Sequence, residues 1–172
     1  TPLGMTHAAQ PQIACSELTK TYRDGEATIL AVNGVNLSAG SGHLLAVTGP
    51  SGSGKTTLLH LLGAVEHPDS GTVCVTGTDL NALSTSEQAE FRAKQVSFVF
   101  SAGNLLPVLT VAENIGIGLS LLGLSVPDVH SRTMAALERV GLAERAHRLP
   151  DTLSSGERQR IAIARALARR SS

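Results

Sequence analysis

Tryptophan is absent from this 172-residue chain, and its aromatic residues amount to three phenylalanines and one tyrosine, Tyr22. So few flat faces leave little on which nucleic-acid bases could stack. Charge of one sign is lacking as well. Lys+Arg (14) balances Asp+Glu (14), so no basic field would hold a polyanion by counterion release. Nucleic acid is therefore not expected as a partner. Cysteine is scarce: Cys15 and Cys74 stand far apart, with no CxxC and no histidine at ligand spacing. This argues against a disulfide framework or structural zinc and for the reduced thiols of a cytoplasmic protein. The longest uncharged apolar stretch, 115–126, is too short and too rich in Gly and Ser to span a bilayer. No signal peptide precedes the first domain features. Thr1-Pro2-Leu3-Gly4 before Met5 reads as a cloning remnant, and residues 1–10 are set aside as a tag or disordered N-terminus.

What is present suits one compact α/β domain over residues 11–172, with 42% apolar and 16% charged residues. From Ile13 to Leu37 β-branched and small apolar residues alternate like strands around a turn at Arg23-Asp24-Gly25. Leu44 to Thr48 reads as a short buried strand between glycines, although periodicity alone does not separate such a run from buried helix. Leu58, Leu59, Leu61 and Leu62 continue as an apolar helix to about Gly63, and Thr72 to Thr76 reads as a further strand. Ser86 to Lys94 looks helical with Ser86 as its cap, and Val96 to Phe100 is another short apolar strand. Helices are expected over Thr110–Leu124 and Val129–Val140, separated by Pro127 and ended by Gly141. A last helix starts near Ser154 or Ser155, with Arg169 and Arg170 at the end where the dipole favours cations.

Between the Leu44–Thr48 strand and the following helix lies Gly49-Pro50-Ser51-Gly52-Ser53-Gly54-Lys55-Thr56, a complete GxxxxGK[ST] phosphate loop. The residue types follow from the chemistry. Glycines let successive amides turn inward on a phosphate without Cβ clashes, and the helix that starts there adds its positive end. Lys55 would stabilise the β- and γ-phosphates, and the Thr56 hydroxyl is the candidate ligand for Mg²⁺. Alone, this loop specifies a nucleoside triphosphate and nothing finer.

A second motif narrows the choice. Leu153-Ser154-Ser155-Gly156-Glu157 opens the last helix and runs into Gln159 to Leu167, QRIAIARAL. This resembles the LSGGQ signature and following helix of ATP-binding-cassette (ABC) ATPases. The likeness extends over Leu18–Tyr22, Thr48–Thr57, Ser70–Val73, Val96–Phe100, Asn104–Pro107 and Thr110–Asn114. Among such proteins the chain looks most like the subgroup that powers lipoprotein release and macrolide export. The resemblance implies a P-loop core with an N-terminal antiparallel β-subdomain (11–100 together), a helical insertion (101–152) and the signature helix (153–170). It implies ATP and Mg²⁺, a head-to-tail homodimer in which Ser154 and Gly156 meet the partner's ATP, and a transmembrane permease docked on the helical part. The docking surface would be the apolar stretches 104–109 and 111–122, although simple helix packing explains them as well. The chain would then sit on the cytoplasmic face of the membrane. Tyr22 falls where the family stacks an aromatic ring on adenine, and Thr57 completes the nucleotide-binding stretch.

The sequence departs from the family pattern at several points. Ser101 stands where the family has a glutamine that touches Mg²⁺ and the attacking water, and a serine is too short to span the same gap. Ser155 replaces a glycine, which is tolerable at negative φ. Glu157 replaces the usual glutamine. It would oppose a triphosphate by its charge unless Arg158 or a neighbour pairs with it, or else point to solvent in the first helical turn, and the second is preferred. The family continues past the signature helix to an apolar strand ending Asp-Glu and then to a switch histidine. None of His7, His43, His60, His67, His130 and His147 follows the signature. Hydrolysis is therefore expected of the intact family member, and binding without turnover of these residues alone. Without the Asp-Glu strand, the phosphate-loop strand is expected to present an open apolar edge prone to association. Three other classes compete: a nucleotide-binding module without hydrolysis, a P-loop small-molecule kinase, and a soluble DNA-repair or translation ABC protein. The signature argues against the kinase, and the neutral charge and single-cassette length against the last.

Overall fold

A computed structural model describes residues 11–101 and 103–169. The expectations for residues 1–10 and for Arg170 lie outside the described residues. The chain divides into two compact units, with the boundary between Val96 and Ser97.

In the first unit, strands β1 (Ile13–Asp24) and β2 (Ala27–Ala39) form a long antiparallel hairpin. β3 (Ser70–Val75) pairs with the other edge of β1, and the two-residue β4 (Thr78–Asp79) completes the order β2-β1-β3-β4. Alternation along the strands turns Leu18, Val32, Val73 and Val75 to one face. Helix α1 (Lys55–Leu62) lays Leu58, Leu61 and Leu62 on that core, and α2 (Thr85–Gln95) adds Phe91.

The second unit is helical. In α3 (Val111–Ser120) the residues Val111, Ile115 and Leu119 recur every fourth position and are fully buried. They pack with Ala136 and Leu137 of α4 (Val126–Arg139) and with Ile161, Ala164 and Ala168 of α5 (Ser155–Ala168). The small side chains on α5 let the helices approach closely.

Five local expectations are corrected. Leu44–Thr48 and Val96–Phe100 are irregular rather than strands, and Leu44 and Leu45 are 98% and 48% exposed. An apolar run has strand propensity, but its amides and carbonyls need a neighbour to complete a ladder. The one sheet among the described residues has no place for either run. Helix α2 is capped by Ser84, not Ser86. The Ser84 hydroxyl accepts from the Glu87 amide while the Glu87 carboxylate takes the Ser84 amide at 2.8 Å, a reciprocal box that fixes the start two residues earlier. Pro127 does not separate two helices but lies inside the first turn of α4, after the cap Ser125, where a missing N–H costs nothing. The helix expected over Thr110–Leu124 is shorter: Thr110 is the cap of α3, and the backbone turns at Gly123.

Candidate functional site

Helix α1 starts without a side-chain cap. Its N-cap is Gly54, at φ 83°, in the left-handed region. A Cβ there would lie 1.9 Å from the Ala31 carbonyl oxygen of β2, so the loop crosses the strand at a distance only glycine permits. The first helical hydrogen bond runs from the Leu58 amide to the Gly54 carbonyl at 2.8 Å. By helix geometry the amides of Lys55, Thr56 and Thr57 have no acceptor within the helix. Upstream, the Ser53 amide donates to Pro50 O at 3.3 Å and bends the loop. The Lys55 ammonium fills the bend, donating to Gly49 O (2.9 Å), Pro50 O (2.6 Å) and Ser53 Oγ (3.2 Å).

The loop borders a hollow of about 430 Å³ lined by Ser51, Gly52, Ser53, Gly54, Lys55, Thr56 and Thr57 together with Tyr22, Ile29 and Ala31. Tyr22 on β1 therefore shares one cavity with the phosphate loop, although the two lie far apart in the chain. Its hydroxyl donates to Glu66 Oε2, and the Thr57 side chain lies close enough to act on the phenol. The Lys20 ammonium lies 5.8 Å from the ring centroid. Burial first, and then the bond to Glu66, push the Tyr22 phenol above its ordinary value, with Thr57 opposing. For Glu66, burial alone would raise the carboxyl. Hydrogen bonds from Tyr22 and His60 and the charges of His60 and Lys20 outweigh it and hold the group low. Both directions describe one state, a protonated phenol donating to an ionised carboxylate.

A hollow lined by amides at a helix N-terminus, with one ammonium, fits a polyphosphate. For a divalent cation the candidate protein ligand is the Thr56 hydroxyl, with the Ser51, Ser53 and Thr57 hydroxyls also lining the hollow. Mg²⁺ characteristically takes one or two protein groups and completes its shell with phosphate and water. Among the described residues, no group of three or more His, Cys, Asp or Glu could hold a metal by itself. The residues fit a metal that arrives with its nucleotide.

The signature residues and Ser101 belong to the second unit. Ser154 caps α5, its hydroxyl accepting from the Glu157 amide at 3.2 Å. Glu157 folds back on Ser154, taking its amide at 2.9 Å and its hydroxyl at 2.8 Å, and its other oxygen lies 3.4 Å from Arg145 Nε. The expectation that Glu157 points to solvent is corrected. The carboxylate is engaged by the Ser154 amide and hydroxyl, which, with the charges of Arg145 and Arg160, hold its pKa below the ordinary carboxylate value. The Ser-x-x-Glu spacing of this box was legible in the sequence. Ser155 lies in the first helical turn without positive φ, and a Cβ at Gly156 would meet nothing within 4 Å. Leu153 is buried below them.

Ser101 is exposed, in the segment that leads from Phe100 to α3. That segment is clamped to α5. With the Gln159 side-chain amide turned so that its nitrogen faces the segment, the orientation that satisfies both of its ends, it donates to Ser101 O (2.9 Å) and Phe100 O (3.2 Å). The Arg165 guanidinium donates to Gly103 O and Asn104 O, both at 2.9 Å. Glu66, His60 and the Ala31 carbonyl were not found from the sequence, because no local signal links them to the loop.

Comparison with solved structures defines the class. A dimeric ATP-binding cassette, MJ0796, in a post-hydrolysis state bound to ADP and Pi, aligns with TM-score 0.87 at 36% identity, covering 91% of this chain and 69% of that one. A second dimeric structure of that bacterial cassette gives 0.87 at 37%, with the same coverage. The fold is that of an α/β P-loop cassette with an antiparallel β-subdomain and a helical insertion. The profile of the family described as ABC transporter matches residues 32–172, and the chain belongs to that family. Its relatives lie in the lipoprotein-release and macrolide-export subgroup. The lipoprotein-releasing system ATP-binding protein LolD of Pseudoalteromonas translucida is 42% identical over 155 residues, 90% of this chain and 67% of its own length. LolD 1 of Rhodopirellula baltica is 44% identical over 155 residues, 90% and 68% respectively. The macrolide export ATP-binding/permease protein MacB of Burkholderia cenocepacia is 40% identical over 158 residues, 92% of this chain but 23% of its own length. The chain thus spans about two thirds of the LolD relatives and under a quarter of MacB.

Proposed function

We propose that this chain is the nucleotide-binding cassette of a transporter, binding Mg-ATP in the Tyr22–phosphate-loop hollow and, within the whole protein, hydrolysing it to drive a membrane permease. The observation that carries this is the hollow itself, which joins one aromatic ring to seven consecutive phosphate-loop residues and a lysine ammonium. The amides of the loop and Lys55 would neutralise the phosphates, and Tyr22 would stack on the adenine. Thr56 would hold Mg²⁺, whose contribution is to neutralise charge on the β- and γ-oxygens. Lys55 would exchange its bonds to Gly49 O and Pro50 O for bonds to phosphate, so the ammonium is already poised over the loop.

The homodimer is part of the same reading. The start of α5 presents Ser154, Ser155 and Gly156 on an exposed turn, and Gly156 leaves room for a phosphate to approach the backbone. Permease docking is supported by an apolar hollow of about 420 Å³ between α3 and α4, with Ile117, Val126 and Val129 in its wall. Among the described residues no helix is long and apolar enough to cross a membrane. A place at the cytoplasmic face would come from the permease. The domain limits 11–100, 101–152 and 153–170 belong to this reading.

The second reading, a nucleotide-binding module without hydrolysis, is favoured by Ser101, whose short side chain replaces an expected glutamine. The test measures Mg-ATP binding and turnover side by side on this chain. Binding is expected, with at least a ten-fold loss for Lys55→Ala, on the order of one good charge-assisted contact. Unchanged affinity in that variant would refute the site. Measurable turnover would exclude the second reading.

A further inference from the structure

Helix α1 carries the phosphate loop at its N-terminus, and the turn after its C-terminus reaches the hydroxyl of Tyr22, which lines the hollow. Beyond Gly63 the backbone enters the left-handed region at Ala64 (φ 56°), and the Val65 and Glu66 amides both donate to His60 O, at 2.9 and 3.4 Å. That turn delivers the Glu66 side chain between two partners. One carboxylate oxygen accepts from the Tyr22 hydroxyl, and the other lies 3.0 Å from His60 Nδ1. An ionised carboxylate can only accept, so the imidazole must present Nδ1–H. The Thr57 side chain also lies close enough to act on the Tyr22 phenol. The residue is 37% exposed, and it lines the hollow.

An aromatic ring at a half-open position loses rotamer freedom when a base stacks on it, and that loss weakens binding unless the ring is already fixed. Tyr22 is held at its far end by Glu66 of the turn, with Thr57 of α1 nearby, and Glu66 is itself held by His60. We infer that Glu66 is a positioning residue for nucleotide recognition: backed by His60, it locks the Tyr22 ring in the pose that stacks on the base. This rests on the proposed role of Tyr22 and extends it. Glu66 does not touch the nucleotide, and its effect should be confined to the base, leaving the phosphates unaffected.

The experiment compares Mg-ATP with Mg-tripolyphosphate, which lacks the base and ribose, by calorimetric titration of the chain and its variants. The ratio of the two affinities is unaffected by any unfolded fraction, which lowers both equally. Tyr22→Ala tests the underlying reading. ATP affinity should fall by about 5- to 100-fold, the usual range for base stacking, and tripolyphosphate affinity should hold. Glu66→Ala tests the inference. ATP affinity should fall by about 2- to 10-fold with tripolyphosphate unchanged, as expected for freezing one side chain. Glu66→Gln, which keeps one acceptor for the phenol, should recover part of the loss. Adding Tyr22→Phe to Glu66→Ala should cost little more, because both remove the same bond. If Tyr22→Ala is selective but Glu66→Ala leaves ATP affinity unchanged, the positioning role is wrong while the adenine site stands. An equal loss of both ligands in Glu66→Ala reduces the residue to a structural role and also overturns the inference. If Tyr22→Ala itself has no selective effect, the adenine site fails and the inference with it.

Discussion

Replacing Gly54 by alanine tests whether the phosphate loop is shaped by its glycines individually or merely by their number. Gly52 and Gly54 both lie in the left-handed region, at φ 80° and 83°. They differ in what surrounds them. A Cβ on Gly52 would meet nothing within 4 Å, whereas one on Gly54 would lie 1.9 Å from Ala31 O, 3.1 Å from Ala31 C and 3.7 Å from Val32 Cγ2. Gly52→Ala should therefore cost only the backbone strain, about 1–2 kcal/mol. Gly54→Ala carries the same strain and must also move either the loop or β2 until the separation reaches at least 3.0 Å. The obstacle is backbone rather than a flexible side chain, so the further cost is that of overpacking, about 1–3 kcal/mol. The expected totals are about 1–2 against about 2–5 kcal/mol, a large share of a domain's usual stability. The assay is chemical denaturation of both variants with Mg-ATP titration of the folded fraction. Gly54→Ala should also lose nucleotide affinity, because the displaced residue is the N-cap of the helix whose amides face the hollow. Equal stability in the two variants, or unaltered ATP binding in Gly54→Ala, would refute the reasoning.

Three other outcomes are expected. The Glu157 carboxyl is held low by the Ser154 amide and hydroxyl, so the box contributes stability above the unfolded carboxylate value, about 4.3, and loses it as pH falls through the folded value. Ser154→Ala should thus be less stable than the parent at neutral pH, with the difference shrinking in acid. A gap independent of pH between 3 and 7, measured by denaturation, would contradict this. Thr133 is 3% exposed, and its hydroxyl finds no hydrogen-bond partner among the described residues. Thr133→Val removes that polar atom at the same shape and should stabilise by about 1 kcal/mol, whereas a loss of stability would show that the hydroxyl is bonded in solution. Leu44→Lys should leave melting within about 0.5 kcal/mol of the parent, since this side chain is almost fully exposed, yet reduce self-association in sedimentation runs. A parent chain that stays monomeric at every concentration would remove the ground for that expectation.

Much of the local structure was written in short stretches of sequence. The phosphate loop, the exit of α1 at Gly63 and the start of α5 each depend on residues within a few positions of one another. Glycine placement, capping and the helix dipole act over that range. The boxes Ser84–Glu87, Thr110–Glu113 and Ser154–Glu157 have the same local character. Reading the first would have placed the start of α2 correctly, and reading the last would have shown where the Glu157 carboxylate goes.

Two matters were decided only by the tertiary structure. Leu44–Thr48 and Val96–Phe100 have the composition of strands, but a strand is completed by the backbone of a neighbour, which no property of the run itself supplies. The environment of Tyr22 is the second. Its hydroxyl meets Glu66 because the backbone reverses at Ala64, and it lines one hollow with the loop only once the strand and helix are packed. The sequence by itself determined the Gly-rich loop, where adjacent residues act together. The surroundings of Tyr22 were settled by packing, since Tyr22 and Glu66 are far apart in the chain and only the folded backbone brings them within a hydrogen bond of one another.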